Sequence, residues 1–147
     1  MFQAFLIKYG EIGVKGKNRY VFENALVDRM KEVLAETDGT FHIIREQGRI
    51  YVEAEGSFDY DETIEALKRV FGIVGICPVV LTEDHGFEAL SETVLDYMQK
   101  MYGDKTMTFK VMTRRVNKRF PMESMEVNAE LGGRILDQFP NMKVDVH

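Results

Sequence analysis

Hydrophobic period changes repeatedly along residues 2–81, and few folds accommodate that alternation. Phe2 to Tyr9 reads as a strand, and Phe22, Leu26, Met30, Val33 and Leu34 then recur at the spacing that lines one face of a helix. Asp38-Gly39 supplies the stop. Two β-rich runs follow, Phe41 to Glu46 and Arg49 to Glu53, joined through Gln47-Gly48 as a short hairpin. Asp59 or Asp61 can cap a second helix whose Ile64, Leu67 and Phe71 share a face, and Ile73 to Leu81 is a final apolar strand. The predicted order is β-α-β-β-α-β.

That order is the split βαβ, ferredoxin-like arrangement, an antiparallel sheet with both helices on one face. A linker is expected at Asp84-His-Gly86, because a new pattern starts after it. Phe87, Leu90, Val94, Met98 and Met101 line one side of a third helix, and Thr106 to Met112 alternates like a strand. Ser124 is placed to cap a fourth helix that turns Val127, Leu131, Ile135 and Leu136 inward, and Met142 to Val146 begins another strand. The fold class is therefore α+β, with two units expected at residues 1–82 and 83–147.

Several function classes are disfavoured by composition. The 147 residues are 45% hydrophobic and 29% charged, with ten Phe and six Tyr, which suits a packed globular protein. No run of about eighteen apolar residues is available to cross a bilayer, so no membrane partner is expected. Phe2 to Tyr9 has none of the marks of a signal peptide, and a cytoplasmic location is the reading. Cys77 is the only cysteine and lies in an apolar stretch, so a buried, inert thiol is expected. His42, His85 and His147 are too scattered to suggest a metal site, and His42 reads as structural. Glu11 lacks an evident acid-base partner. Neither catalytic nor metal-ligating residues are expected in this chain.

Charge is unevenly distributed. The formal net charge is −5, yet Lys105 to Met122 holds Lys105, Lys110, Arg114, Arg115, Lys118 and Arg119 and no acid. From Lys8 to Arg19 there are Lys8, Lys15, Lys17 and Arg19 against Glu11 alone. An acidic body with two basic segments suits a focused polyanion site, and two solvated basic loops are the competing reading. In the first segment the glycines of Gly10-Glu-Ile-Gly-Val-Lys-Gly-Lys-Asn-Arg19 let backbone N–H groups approach a phosphate beside Lys15, Lys17 and Arg19. The spacing is not that of a P-loop, and an ordinary strand-helix connection remains the alternative. In the second, Lys110, Arg114, Arg115 and Lys118 sit with Phe120 on a strand-helix connection. RNA ends are read by such a mixture, cations on phosphates and an aromatic ring on an unpaired base. Taken singly, Phe120 reads better as a hydrophobic plug beneath the loop.

Together these segments resemble the ThiI family of tRNA 4-thiouridine synthetases. The opening pattern looks like Lys8-Tyr-Gly-Glu-Ile-Gly-Val-Lys-Gly-Lys-Asn-Arg19 with Phe22-Glu23, followed by Leu67-Lys-Arg-Val-Phe-Gly-Ile73. The signature of the family's THUMP domain looks like Phe109-Lys-Val-Met-Thr-Arg-Arg115, Lys118, Phe120-Pro121, Ser124, Leu131-Gly132 and Lys143-Val-Asp145. The resemblance implies a ferredoxin-like domain followed by an α/β THUMP domain that is incomplete at its C-terminal end. It also implies binding of tRNA at the acceptor stem and 3′ CCA end. ATP, a persulfide sulfur donor and a partner cysteine desulfurase are implied for a PP-loop catalytic domain that has no counterpart here. Some members also serve thiamine thiazole synthesis. An unpaired edge on the last strand would fray or pair with a second copy, so a homodimer is one expected outcome. Two other readings stay open: another THUMP-bearing tRNA-modifying enzyme, and a ferredoxin-like module that binds a small metabolite.

Overall fold

The computed structural model describes residues 3–10, 17–46 and 48–145, with the side chain of Lys17 also left out. The chain divides into two compact units, Met1–Thr82 and Glu83–His147. In the first unit the element order is β1 (Ala4–Tyr9), α1 (Lys17–Ala35), β2 (Thr40–Glu46), β3 (Arg49–Glu55), α2 (Tyr60–Lys68) and β4 (Ile73–Val79). The sheet runs β2-β3-β1-β4 with antiparallel neighbours throughout, so β3 is inserted between β1 and β2 as the split βαβ order requires.

Alternation decides the faces. Phe5, Ile7, Ile50 and Val52 point to the helices and are buried with Leu26, Met30 and Leu67. On the opposite face lie Leu6, Lys8, Arg49 and Tyr51, because side chains of successive strand residues alternate. The turn after α1 closes when the Thr37 hydroxyl donates to the Val33 carbonyl at 2.7 Å, and Gly39 follows at φ 129. Asp59 rather than Asp61 caps α2, its carboxylate accepting from the Glu62 N–H at 2.9 Å.

Three expectations about this unit need correction. Phe71 does not share the inward face of α2, because the helix stops at Lys68. Val70 takes the buried position and Phe71 is 84% exposed. Cys77 is half-buried on the open face of the sheet, opposite Leu6, rather than fully buried. The ladder of β4 ends at Val79, leaving Val80 and Leu81 exposed. The expected start of β1 at Phe2, the loop residues Glu11 and Lys15, and Gln47 of the hairpin lie outside the described residues.

The second unit contains α3 (Phe87–Tyr102), β5 (Met107–Phe109), α4 (Ser124–Gln138) and β6 (Met142–Val144). β5 and β6 pair in parallel, with α4 on the connection between them. Met98, Ile135, Phe139 and Met142 form the buried centre, with Val94, Tyr102, Met107, Phe109 and Val111 packed around it. Arg134 joins α3 to α4 through two 2.8 Å bonds to the Glu88 carboxylate, and its guanidinium lies over the Phe87 ring at 4.8 Å. That pairing holds the Glu88 carboxyl below its ordinary value.

Here too the structure departs from expectation. Ser124 is the first helical residue, and Glu123, with extended backbone, is the N-cap without a side-chain cap bond. Leu136 is 40% exposed, since Val127, Leu131 and Ile135 already fill the inward stripe and Phe139 continues it. The expected strand over Thr106–Met112 is paired only at Met107–Phe109, where β6 supplies partners. β6 is assigned over Met142–Val144, and the Asp145 N–H extends the pairing by donating to the Phe109 carbonyl at 2.9 Å.

Candidate nucleic-acid interface

Beyond the β5–β6 ladder the chain keeps the burial alternation of a strand, with no ladder partner assigned among the described residues. Phe109, Val111, Thr113 and Arg115 are half-buried, while Lys110, Met112, Arg114 and Val116 are exposed. The two adjacent arginines therefore do different things. Arg114 projects outward. Arg115 turns in and donates from Nη1 to the carbonyls of Phe120 (3.1 Å) and Met122 (3.4 Å), fixing the far side of its own loop. A tight turn completes it: the Phe120 N–H donates to the Asn117 carbonyl at 3.1 Å, and the Asn117 side chain accepts from the Arg119 N–H at 3.0 Å.

The result is a basic loop, braced by these bonds, that lines an apolar recess. Arg114, Lys118 and Arg119 have exposed side chains that make no hydrogen bond or ion pair among the described residues. Lys110 is exposed as well, and Lys105 lies 5.8 Å from the centre of the Tyr102 ring. A cavity of about 180 Å³ is lined by Arg114 and Arg115 together with Leu90, Val116, Phe120, Met122 and Val127, and Lys118 and Arg119 follow in the same loop. Phe120 is half-buried and forms part of that wall, so it serves the loop as a plug and also presents an aromatic surface to the recess. The sequence pattern groups Arg115 with Arg114 and Lys118 and does not single out Arg119; the structure ties Arg115 to two carbonyls of its own loop and leaves Arg119 exposed.

In the first unit Arg19 is tied down. Its Nε donates to Glu23 at 3.1 Å and its Nη2 to the Tyr9 hydroxyl at 3.3 Å, while the Tyr9 hydroxyl donates to the same Glu23 oxygen. Lys15 and the Lys17 side chain, the other cations expected there, lie outside the described residues. Burial opposes ionisation of Glu23, but hydrogen bonds from Tyr9 and Arg19 and the charges of Arg19 and Arg45 outweigh it and hold the carboxyl below its ordinary value. The Tyr9 hydroxyl is pushed up, first by burial and then by the Glu23 carboxylate.

These shifts fix the sign of a pH dependence. With its folded pKa below the unfolded one, Glu23 contributes stability that is complete above the unfolded value and lost as pH falls through the folded value. With its folded pKa raised, Tyr9 contributes stability complete below its unfolded value and lost as pH rises through the folded one. Thermal melts across pH should show an acid-side loss that is reduced in Glu23→Gln and an alkaline-side loss that is reduced in Tyr9→Phe. Profiles of the same shape for the parent and both variants would mean that the cluster is energetically silent.

No group of three or more His, Cys, Asp or Glu among the described residues is placed to hold a metal ion. Nor is any helix of these residues long and apolar enough to cross a membrane. The decisive comparison is with protein families: residues 4–77 match the ThiI ferredoxin-like domain and residues 85–147 match the THUMP domain. This chain belongs to the ThiI family. A probable tRNA sulfurtransferase of Lachnospira eligens is 62% identical over the whole chain, and one of Coxiella burnetii is 39% identical. The chain spans 37% of the length of these curated relatives. A 4-thiouridine synthetase solved as an RNA complex with bound ATP superimposes with a TM-score of 0.79 at 30% identity, covering all of this chain and 36% of that one. PH1313 from Pyrococcus horikoshii matches with a TM-score of 0.75 at 31% identity, over 98% of this chain and 47% of its own. The basic loop and its recess thus belong to the THUMP domain, and the Tyr9–Glu23–Arg19 cluster to the ThiI ferredoxin-like domain.

Proposed function

We propose that this chain is the tRNA-binding region of a tRNA sulfurtransferase that makes 4-thiouridine, presenting the acceptor stem and 3′ CCA end to a PP-loop catalytic domain. The observation that carries the reading is the acid-free loop that holds Arg114, Lys118 and Arg119 exposed and lines an apolar recess with Arg114, Val116 and Phe120. Exposed cations suit phosphates, and an apolar wall with one aromatic suits an unstacked base. Lys110 adds to these cations, Arg115 braces the loop, and Lys15, Lys17 and Arg19 add a second phosphate contact from the ferredoxin-like domain. The names of the relatives and the RNA in the 30% identical structure support the same substrate.

Within this reading, ATP activates a uridine oxygen in the catalytic domain, and a persulfide charged by a cysteine desulfurase supplies the sulfur. The work is cytoplasmic. Among the described residues β6 pairs with β5 alone, and pairing of its other edge with a second copy is the route by which this chain would form a homodimer.

Filter binding with intact and CCA-trimmed tRNA tests the proposal. Trimming is expected to weaken binding roughly tenfold, since a stacked base contributes about 1–3 kcal/mol. Equal affinity for the two RNAs would reject recognition of the 3′ end. Failure of either RNA to bind, with a small metabolite raising the melting temperature instead, would favour a metabolite-binding module.

A further inference from the structure

We propose that Lys8, Arg19 and Arg49 of the ferredoxin-like domain form a phosphate-binding site that takes a backbone phosphodiester of the bound RNA. The inference rests on the RNA-binding reading above and adds Lys8 and Arg49, which come from different strands and join no sequence motif with one another. β1 and β3 pair through Ile7 and Ile50, and one residue further the register brings Lys8 and Arg49 to neighbouring positions on the open face of the sheet. Like charges side by side across a strand pair repel each other. Neither has a hydrogen bond or ion pair among the described residues. Glu46 stands across from Arg49 on the side away from Lys8 and is not bonded to it.

These two cations and Arg19 line one concavity of about 380 Å³, with Leu6, Tyr9 and Gly48 completing its wall. Among the described residues no carboxylate lines it. Gly48, at φ 75, forms the wall beside the Arg19 head, where a Cβ would lie 3.9 Å from Nη2. Arg19 is held by Glu23 and Tyr9, so its position is set before any ligand arrives. Its charge is matched by Glu23, which the lowered carboxyl pKa keeps ionised, leaving Lys8 and Arg49 as the charges without an ion-pair partner among the described residues. An anion between them relieves the repulsion, and a phosphate group offers acceptors to the donors of Lys8, Arg19 and Arg49, which line the same concavity.

The test uses the whole chain and its Lys8→Gln/Arg49→Gln variant, both at exposed positions, with a melting curve to confirm the fold. Binding of tRNA is measured against salt, and the amide signals of Lys8, Gly48 and Arg49 are followed during titration with tRNA and, separately, with inorganic phosphate. The log-log salt slope of the variant is expected to be shallower by roughly 0.7 to 0.9 for each phosphate it no longer neutralises, so about 1.5 for the pair. The Gly48 amide should shift with tRNA in the parent and not in the variant. If tRNA binds the parent and the slope is unchanged in the variant, this site is wrong while the tRNA-binding reading stands. If tRNA does not bind but inorganic phosphate still moves Gly48 in the parent alone, the site stands as one for a free phosphate group and the tRNA reading falls. If tRNA does not bind and inorganic phosphate moves none of the three amides, the site and the reading fall together; if tRNA binds but leaves them unmoved, the site alone falls.

Discussion

Replacing Arg114, Lys118 and Arg119 together with alanine is expected to weaken tRNA binding on the order of a hundredfold at physiological salt. The log-log salt slope should fall by about 2 to 3, near 0.7 to 0.9 for each phosphate left without its cation. The three side chains are exposed and unpaired among the described residues, so their removal leaves no buried group without a partner and the fold should be unaffected. Arg115 provides the contrast. Its guanidinium is bound to the Phe120 and Met122 carbonyls, so Arg115→Ala should free the loop and leave two carbonyls seeking water. Affinity would drop by a smaller factor with the salt slope nearly intact, because the loop becomes less ordered while its outward cations remain. A triple variant with the parent's slope, or an Arg115→Ala variant with a slope reduced as much as the triple, would show that the roles assigned to these residues are wrong.

The largest loss of stability is expected from Gly39→Ala. Gly39 sits at φ 129, a backbone region that L-residues rarely enter, and an added Cβ would lie 2.7 Å from Phe58 Cβ and 2.9 Å from the Phe41 ring. Phe41, Phe58 and Phe5 pack edge to face in a row, with ring centres 6.0 and 6.2 Å apart, so neither neighbour can yield without disturbing the core. Backbone strain and overpacking together should cost about 3 kcal/mol or more in the ferredoxin-like domain. Gly133 is the control. It lies exposed within α4 with open space where a Cβ would be, so Gly133→Ala should stabilise the THUMP domain by up to about 1 kcal/mol through helix propensity. Denaturant unfolding of both variants separates the two effects. A Gly39→Ala protein as stable as the parent would mean that the turn relaxes freely and that the phenylalanine row does not restrain it.

Hydrophobic period is enough to predict the architecture of the ferredoxin-like domain and the order of elements in the THUMP domain. Alternation in β1 and β3 and helical spacing in α1 each name a buried face, and burying all of them at once leaves few arrangements. Family motifs are legible for a related reason: the glycines, arginines and Phe-Pro of the loops stand at fixed places in the chain order. Errors fall where one local pattern meets another. Helical spacing from Ile64 runs on to Phe71 because nothing local announces that α2 stops at Lys68, and Ser124 satisfies a capping pattern although the backbone enters α4 one residue earlier.

The order of elements, most of the core-facing residues and the basic character of two segments are legible along the chain. All of these follow from interactions between residues close in the chain. Which cations face outward emerges only on folding. Arg114 and Arg115 are chemically identical neighbours, and one faces out while the other binds carbonyls five and seven residues on. Lys8 and Arg49 are far apart in the chain, and they meet because β3 is inserted between β1 and β2. Charge acts through space, whereas the sequence orders residues along the chain, so the fold alone sets which charges lie close enough to act on one ligand.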